Sequence, residues 1–541
     1  AELFSREAGS PVGDDIRELL RYIRLRLRRY FLEADVGLNG ANVGIAEMGA
    51  VVLETNEGNG RLVASIPKIQ IVLIGVEKIV ETLEEALLLA RAHAVSATGQ
   101  RVTTYVSLMA GRAPLSGEVG GRELHIILLD NGRMRMLEDA YFREALYCIR
   151  CGACMNVCAP YSVVGGHLFG HIYPGPIGIP WTANVHGVEN SMFAHLCISC
   201  GLCREVCPAL INIPLMISRV KELLAESVGH PRVNRAMMMY ERFAKVASRL
   251  APLSNWSLRS RAIRYLLEKV VGLDRHVTIP EFRRDCLTHR FKRMRRPVPQ
   301  PRGRAVIFTD IFANYSRPEI GEALIEALYS AGFEVEIPEQ LSSGYPLVAY
   351  GDLEGARRYA ERNVELLWPY VSRGYEVVSI EPTATYTLRH VYPYLLRGDR
   401  RAEELASHTR EALGVLTELV DKGDLVVGCG RRVRYGIHVP CHQRGLSGAD
   451  HIAALASAAG LEVEVIEDGM CCGMGGTFGM KRGPVGRGLA LAMGERLFNL
   501  FTKSRVDAIL TESSVCAIHL REGTGLEVLH PLEVLEFTAK K

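Results

Sequence analysis

Apolar residues recur with helical spacing between positions 14 and 32. Ile16, Leu19, Leu20, Ile23 and Leu27 share one face and arginines fill the other, which predicts an Arg-rich amphipathic helix. Short extended runs follow. Positions 43–46 and 50–54 read as strands joined by a turn at Glu47, Met48 and Gly49, and 71–74 as a further strand, with a helix over about 76–94. Runs at 123–130 and 133–137 flank Asn131-Gly132, a pair that predicts a hairpin. Mixed strands and helices predict an α/β or α+β domain over residues 1–140.

Beyond it the pattern changes. Residues 141–227 are dense in Cys and end in a helix carrying Ile217, Val220 and Leu224, and 228–303 read as a basic helical connector. The connector closes on the Pro-punctuated stretch Arg295-Arg296-Pro297-Val298-Pro299-Gln300-Pro301, a domain boundary. The remainder is a duplication. Ala331-Gly332-Phe333-Glu334-Val335-Glu336 recurs as Ala459-Gly460-Leu461-Glu462-Val463-Glu464, Ser342-Ser343-Gly344 lies opposite Cys471-Cys472-Gly473, and Ser372-Arg373 opposite Ser504-Arg505. Each copy reads as strand, helix, strand, loop, helix, strand, so two tandem α/β units are expected at 304–425 and 426–541. The fold class expected is multidomain α/β and α.

Composition narrows the function classes. The 541 residues are 48% hydrophobic and 23% charged with a formal net charge of +3, which excludes wholesale disorder and gives no electrostatic case for a nucleic-acid partner. Only 11 of the 64 basic residues are Lys, a bias of heat-adapted or GC-rich sources without bearing on activity. No stretch reaches the ~18 apolar residues of a membrane span; the most apolar early one is broken by Glu77 and Lys78. The first residues, Ala1, Glu2 and Leu3, lack a basic leader and an initiator Met, so a processed or truncated N-terminus and a cytoplasmic location are expected, with peripheral membrane contact left open.

The informative count is 14 Cys, too many for a chain of this kind to be read as disulfides. Cys148-x2-Cys151-x2-Cys154-x3-Cys158 is repeated as Cys197-x2-Cys200-x2-Cys203-x3-Cys207-Pro208. Three thiolates at this spacing wrap one face of a 4Fe–4S cube, and the fourth Cys of each run reaches the other cluster. Cluster one is therefore expected on Cys148, Cys151, Cys154 and Cys207, and cluster two on Cys197, Cys200, Cys203 and Cys158. Tetrahedral zinc does not call for two matching four-Cys runs. Neither cluster leaves an iron position open, so this unit moves electrons and binds no substrate.

A second constellation comprises Cys441, Cys471-Cys472 before Gly473, and Cys516. It resembles the cysteine-rich CCG domain of the heterodisulfide reductase B subunit and of the iron–sulfur subunit of anaerobic glycerol-3-phosphate dehydrogenase, whose pattern is Cys, then Cys-Cys-Gly, then Cys-x-x-Cys. Here Ser513 stands at the first position of the last motif. Four thiols suffice for a third iron–sulfur cluster or a zinc, one short of the five-thiolate disulfide-reducing form that the resemblance implies. The first copy has Ile311, Ser342, Ser343, Glu381 and Ala384 at the corresponding places and should bind no cluster. Cys286 and Cys429 read as bystanders.

After a strand, Thr55 leads into Asn56, Glu57, Gly58, Asn59, Gly60 and Arg61, a tight loop that reads either as a structural turn or as an anion-binding one; it fits neither G-x-G-x-x-G nor a P-loop. Together with residues 34–42, Ser96-Ala97-Thr98-Gly99-Gln100, Leu129-Asp130-Asn131-Gly132, Gly165-Gly166-His167 and Tyr173-Pro174-Gly175-Pro176-Ile177-Gly178, this loop resembles the lactate-utilisation protein B family over about residues 1–290. The duplicated half resembles the partner protein A of the same system, so the chain looks like a fusion of the two. The resemblance implies that 1–140 is the C-terminal part of a LUD domain related to the CoA-transferase and isomerase fold, lacking the stretch that precedes it in family members. It implies an iron–sulfur electron-transfer subunit of an L-lactate-oxidising complex, with a flavoprotein or other lactate-utilisation subunits as partners. The alternatives are a heterodisulfide-reductase-like thiol/disulfide oxidoreductase and a non-catalytic redox sensor. No catalytic base or nucleophile is identifiable.

Overall fold

The computed structural model describes residues 1–111, 122–431, 433–467, 469 and 471–539, which divide into two compact units, Ala1–Ala153 and Cys154–Lys541. In the first, the Arg-rich helix runs Ile16–Glu33. Asp15 caps it by accepting from the backbone N–H groups of Arg17 and Glu18, and the helix buries none of its residues. Two sheets follow. Val36–Gly40, Ile69–Gly75 and Glu123–Leu129 form a parallel sheet with Ile69–Gly75 at its centre. Ile79–Val80, Val43–Ile45, Ala50–Thr55 and Tyr105–Ala110 form a mixed one, whose Val43, Ile45 and Val52 pack on Ala86 of the helix Leu83–Thr98.

Two local expectations are corrected. The helix expected over 76–94 starts at Leu83, because Thr82 and Glu85 form a reciprocal capping box there; Ile79–Val80 ahead of it is a short strand beside Gly44 and Ile45. The Asn131-Gly132 hairpin is absent, and residues Arg133–Glu138 are helical. Glu123–Leu129 is paired in parallel with the central strand and has no antiparallel partner among the described residues. Asp130 instead starts a helix, its carboxylate accepting from Met134 N–H at 2.7 Å, and buried Arg133 is anchored by Glu77 at 2.6 Å.

In the second unit the Cys-dense segment is built on two buried helices, Gly175–Val185 and Ile213–Val228, and the basic connector is a series of short helices from Arg232–Met238 to Leu287–Met294. The duplication is explicit in the topology. The first copy has the parallel order Thr409–Glu411, Glu376–Ser379, Gly303–Phe308, Phe333–Glu336; the second has Glu527–Leu529, Ala508–Leu510, Tyr435–Ile437, Val463–Val465. Each copy therefore has a fourth strand beyond the three expected. One core joins both copies, with Ile307 and Leu324 of the first in the same cluster as Tyr435 and Leu510 of the second. In both, the first strand is central and the second and third lie on either side of it. That reversal opens a crevice at the carboxyl ends of the strands, where doubly wound sheets place their sites.

Two buried ionisable side chains lock these parts together. Lys221, 3% exposed on the helix Ile213–Val228, donates to the carbonyls of Cys197 at 2.9 Å and Ala349 at 2.7 Å, tying the second Cys run to the first copy. Burial lowers its pKa. Glu381 of the first copy accepts from the N–H and hydroxyl of Ser514, at the N-terminus of the helix that carries Cys516. Burial raises the Glu381 carboxyl to about 8, against the opposing pull of the Ser514 hydrogen bonds.

Lys221→Met leaves two buried carbonyls without their donor and should destabilise the protein by about 2–4 kcal/mol; an unchanged melting temperature would contradict the locking role. Glu381 is raised in the folded state, so its contribution to stability is fully present below its unfolded pKa and is lost as pH rises through about 8. Glu381→Gln should therefore flatten the fall in melting temperature between pH 5 and 8, and a slope equal to that of the unsubstituted protein would refute the assignment.

Candidate metal centres

The two Cys-x2-Cys-x2-Cys loops have the same backbone. The residue before the middle Cys is left-handed in each, Arg150 at φ 66° and Ser199 at φ 55°, and so is the Gly after it, Gly152 and Gly201 both at φ 80°. A short helix then carries the third Cys, Ala153–Asn156 in one and Leu202–Glu205 in the other. Successive left-handed turns let each loop curl round a centre and aim N–H groups at sulfur; Ser199 N–H points at Cys197 Sγ, 3.4 Å away. Gly201 is required twice over, because a Cβ there would also press on Tyr386 and His442.

Cys148 and Cys151 belong to the first unit, where Ser96 Oγ donates to Cys151 Sγ at 3.3 Å. In the second unit the four thiols expected to hold cluster two are gathered. Burial raises Cys203 well above the ordinary thiol value, reinforced by Cys200, Cys197, Cys154 and Cys158; burial likewise raises Cys158, reinforced by Cys197 and Cys154. Cys207 follows the short helix that carries Cys203. Burial of this kind favours the neutral thiols and makes an uncompensated thiolate costly; a shared cation offsets that cost, because metal binding takes their protons and pairs their charge.

The second constellation forms at the crevice of the second copy. Cys441 follows the strand Tyr435–Ile437, Cys471 and Cys472 follow Val463–Val465, and Cys516 follows Ala508–Leu510, so three strand ends deliver four thiols to one place. Cys441 and Cys472 both hydrogen-bond to Cys471. That contact holds Cys441 and Cys472 above the ordinary thiol range and draws Cys471 well below it. Cys472 Sγ lies 3.4 Å from Cys516 Sγ. Gly473, at φ 94°, lets the chain pass under the helix Leu489–Lys503, where a Cβ would meet the carbonyl of Ala490 at 2.2 Å. The donor set and its burial fit a thiolate-bound metal or iron–sulfur centre.

Ser513 does not join the thiols in kind; its hydroxyl caps the helix Ser514–Thr524 by accepting from Cys516 N–H at 3.5 Å. The corresponding groups of the first copy are engaged elsewhere, Ser342 Oγ with Glu241 at 2.7 Å and Ser343 Oγ with Asp310 at 3.3 Å.

A cavity of about 110 Å3 lies between the copies. Cys441, Cys471 and Cys516 line it from one side, and Asp310, Ser343, Tyr345 and Glu381 from the other. Cys200 of the second Cys run also lines it. Sequence reasoning missed several of these residues. His442 is held between Thr383 Oγ1 and the Tyr345 hydroxyl, both at 3.0 Å, and stacks on Tyr386; burial lowers its pKa to about 4, so the ring is neutral. Tyr345 in turn donates to the carbonyl of Ser199. Burial raises Asp310 to about 6. His438, lowered by burial to about 3, brings a ring nitrogen to within 4.8 Å of the sulfurs of Cys472 and Cys516. The one sequence signal for His438 was its position three residues before Cys441.

The Asn56–Arg61 loop is held by its own unit. Asn56 Oδ1 accepts from the N–H and hydroxyl of Thr104, and the Arg61 guanidinium lies over the Tyr105 ring at 3.4 Å. Glu57 and Gly58 precede the helix Asn59–Ser65, which contains Asn59 and Gly60. Cys286 is buried against Thr288, and Cys429 lies in the antiparallel pair Leu425–Cys429 with Leu535–Ala539.

Comparison with known proteins agrees with this geometry. The LUD domain family matches residues 7–129, the 4Fe-4S dicluster domain 144–211 and the cysteine-rich domain, CCG, 435–521. Lactate utilization protein B of Bacillus cytotoxicus is 37% identical over 262 residues, 47% of this chain and 55% of that protein. The protein of the same name from an Exiguobacterium species is 42% identical over 242 residues, 44% of this chain and 51% of that one. The chain spans about half the length of the curated relatives it matches. A crystal structure of a DUF162 family protein from Deinococcus radiodurans covers 18% of this chain and 55% of its own at 27% identity, with a TM-score of 0.14. No helix among the described residues is long and apolar enough to cross a membrane. The chain is an iron–sulfur protein that carries, in order, a LUD domain, a 4Fe-4S dicluster domain and a CCG cysteine-rich domain.

Proposed function

We propose that the chain is the iron–sulfur electron-transfer subunit of a cytoplasmic complex that oxidises a 2-hydroxyacid, with L-lactate as the substrate and a flavoprotein or other lactate-utilisation subunits as partners. The substrate rests on the relatives named Lactate utilization protein B. The conducting role rests on one observation: Cys200 of the dicluster domain lines the same cavity as Cys441, Cys471 and Cys516. Cluster one is assigned to Cys148, Cys151, Cys154 and Cys207, cluster two to Cys197, Cys200, Cys203 and Cys158, and a third iron–sulfur centre to Cys441, Cys471, Cys472 and Cys516. When bound, these centres supply one-electron carriage. The protein's own residues keep the route dry and rigid: Lys221 and Tyr345 hold the Cys197–Cys203 loop, and His442 holds the segment at Cys441 against the first copy.

Anaerobic iron and sulfide analysis tests the assignment. About twelve iron per chain are expected, and about eight after Cys472→Ser, with the dicluster signals unchanged in EPR; an iron content indifferent to the substitution would remove the third centre. L-lactate should bleach the visible absorption once the partner flavoprotein is present. Absence of bleaching with any lactate-utilisation subunit would overturn the functional reading.

A further inference from the structure

His438 is not part of the cysteine pattern, yet the fold brings it to the C-terminal thiols. It directly follows the strand Tyr435–Ile437 and is 3% exposed. Its N–H donates to the carbonyl of Leu510 on the neighbouring parallel strand at 2.9 Å, which fixes the backbone beside Thr511. Nδ1 lies 2.9 Å from the Thr511 hydroxyl. One ring nitrogen of His438 and the sulfurs of Cys472 and Cys516 lie within 4.8 Å of one another, and all three residues are buried. A polar partner at one ring nitrogen, here the Thr511 hydroxyl at Nδ1, sets the tautomer and ring direction of a ligating His and leaves Nε2 as the nitrogen available to a metal. Across the site Ser513, which stands where the CCG pattern has a thiol, has its hydroxyl committed to the helix cap.

We propose that His438 is a nitrogen ligand of the C-terminal centre and supplies the donor that Ser513 does not. The proposal rests on the reading that Cys441, Cys471, Cys472 and Cys516 hold a metal centre. Imidazole suits iron and zinc alike.

The test uses the full chain purified anaerobically, with iron, zinc and acid-labile sulfide measured per chain and the dicluster iron as the internal control of folding. Cys472→Ser reports whether the C-terminal centre exists. His438→Asn, which keeps a hydrogen-bonding group but is a poor ligand, should lose at least half of the C-terminal metal, whereas His438→Cys should keep it. Thr511→Val, which removes only the group that orients the ring, should weaken retention of that metal against a chelator by about 10–100-fold. Metal lost in Cys472→Ser but fully retained in His438→Asn would overturn the inference and leave the centre standing. Equal loss in His438→Asn and His438→Cys would reduce the imidazole to a structural support and overturn it too. No loss in Cys472→Ser would overturn both this inference and the assignment it rests on.

Discussion

The structure depends on burying many thiols that have no disulfide partner among themselves. Cys154, Cys158, Cys203, Cys471, Cys472 and Cys516 are all buried, and no disulfide joins the cysteines of the chain. Burial disfavours the thiolate and raises Cys158 and Cys203, whereas at the C-terminal site the hydrogen bonds of Cys441 and Cys472 draw Cys471 well below the ordinary thiol range. Such a cluster is tolerable in two states: fully protonated, or deprotonated around a cation that repays the desolvation through coordination. The second couples metal affinity to folding, so the loops bearing these residues are shaped for occupancy rather than for packing alone. The left-handed backbone at Ser199 and Gly201, and the chain passing under a helix at Gly473, are conformations that an apolar core would have no reason to adopt.

Around that constraint the duplication has been used asymmetrically. Both copies keep the same strand order and hence the same crevice, but only the second fills it with sulfur. The first copy has become a wedge. Its Tyr345 reaches the carbonyl of Ser199 in the dicluster domain and the ring of His442 beside Cys441, and its Glu381 receives the N-terminus of the helix carrying Cys516. The bridging residues lie in and beside the positions of the Cys pattern: Glu381 stands where the second copy has Ser513, and Tyr345 lies two residues beyond Ser343.

Much of this was legible in the sequence because iron–sulfur chemistry writes itself locally. The spacing of the two four-Cys runs, the Cys-Cys-Gly step and the repeat of Ala-Gly-x-Glu-Val-Glu each lie within a few residues, and they pointed to the domains that the comparisons match. What escaped was non-local. Asn131-Gly132 carries a hairpin signal, but pairing of Glu123–Leu129 in a parallel sheet overrode it, and nothing near residue 131 records that partner. His438, Tyr345 and His442 become a set only when strands far apart in sequence end side by side. The Lys221 ammonium reads as an ordinary helix charge until the carbonyls of Cys197 and Ala349 are placed against it.

The chemistry of the cavity walls separates conduction from catalysis. A 2-hydroxyacid is an anion at neutral pH, and a site that binds it needs a fixed positive charge or several donors aimed at its carboxylate. The described residues lining the cavity include no Lys or Arg; they include two carboxyl groups, Asp310 and Glu381, both raised by burial, and otherwise mainly thiols, hydroxyls and apolar side chains. An incoming carboxylate would shed its hydration to meet acids and sulfur. The same surroundings serve electron passage well, since Cys200 lines the cavity together with the C-terminal thiols. Under the proposed function, these walls, which offer acids and thiols but no Lys or Arg among the described residues, suit the passage of electrons rather than the binding of a hydroxyacid carboxylate.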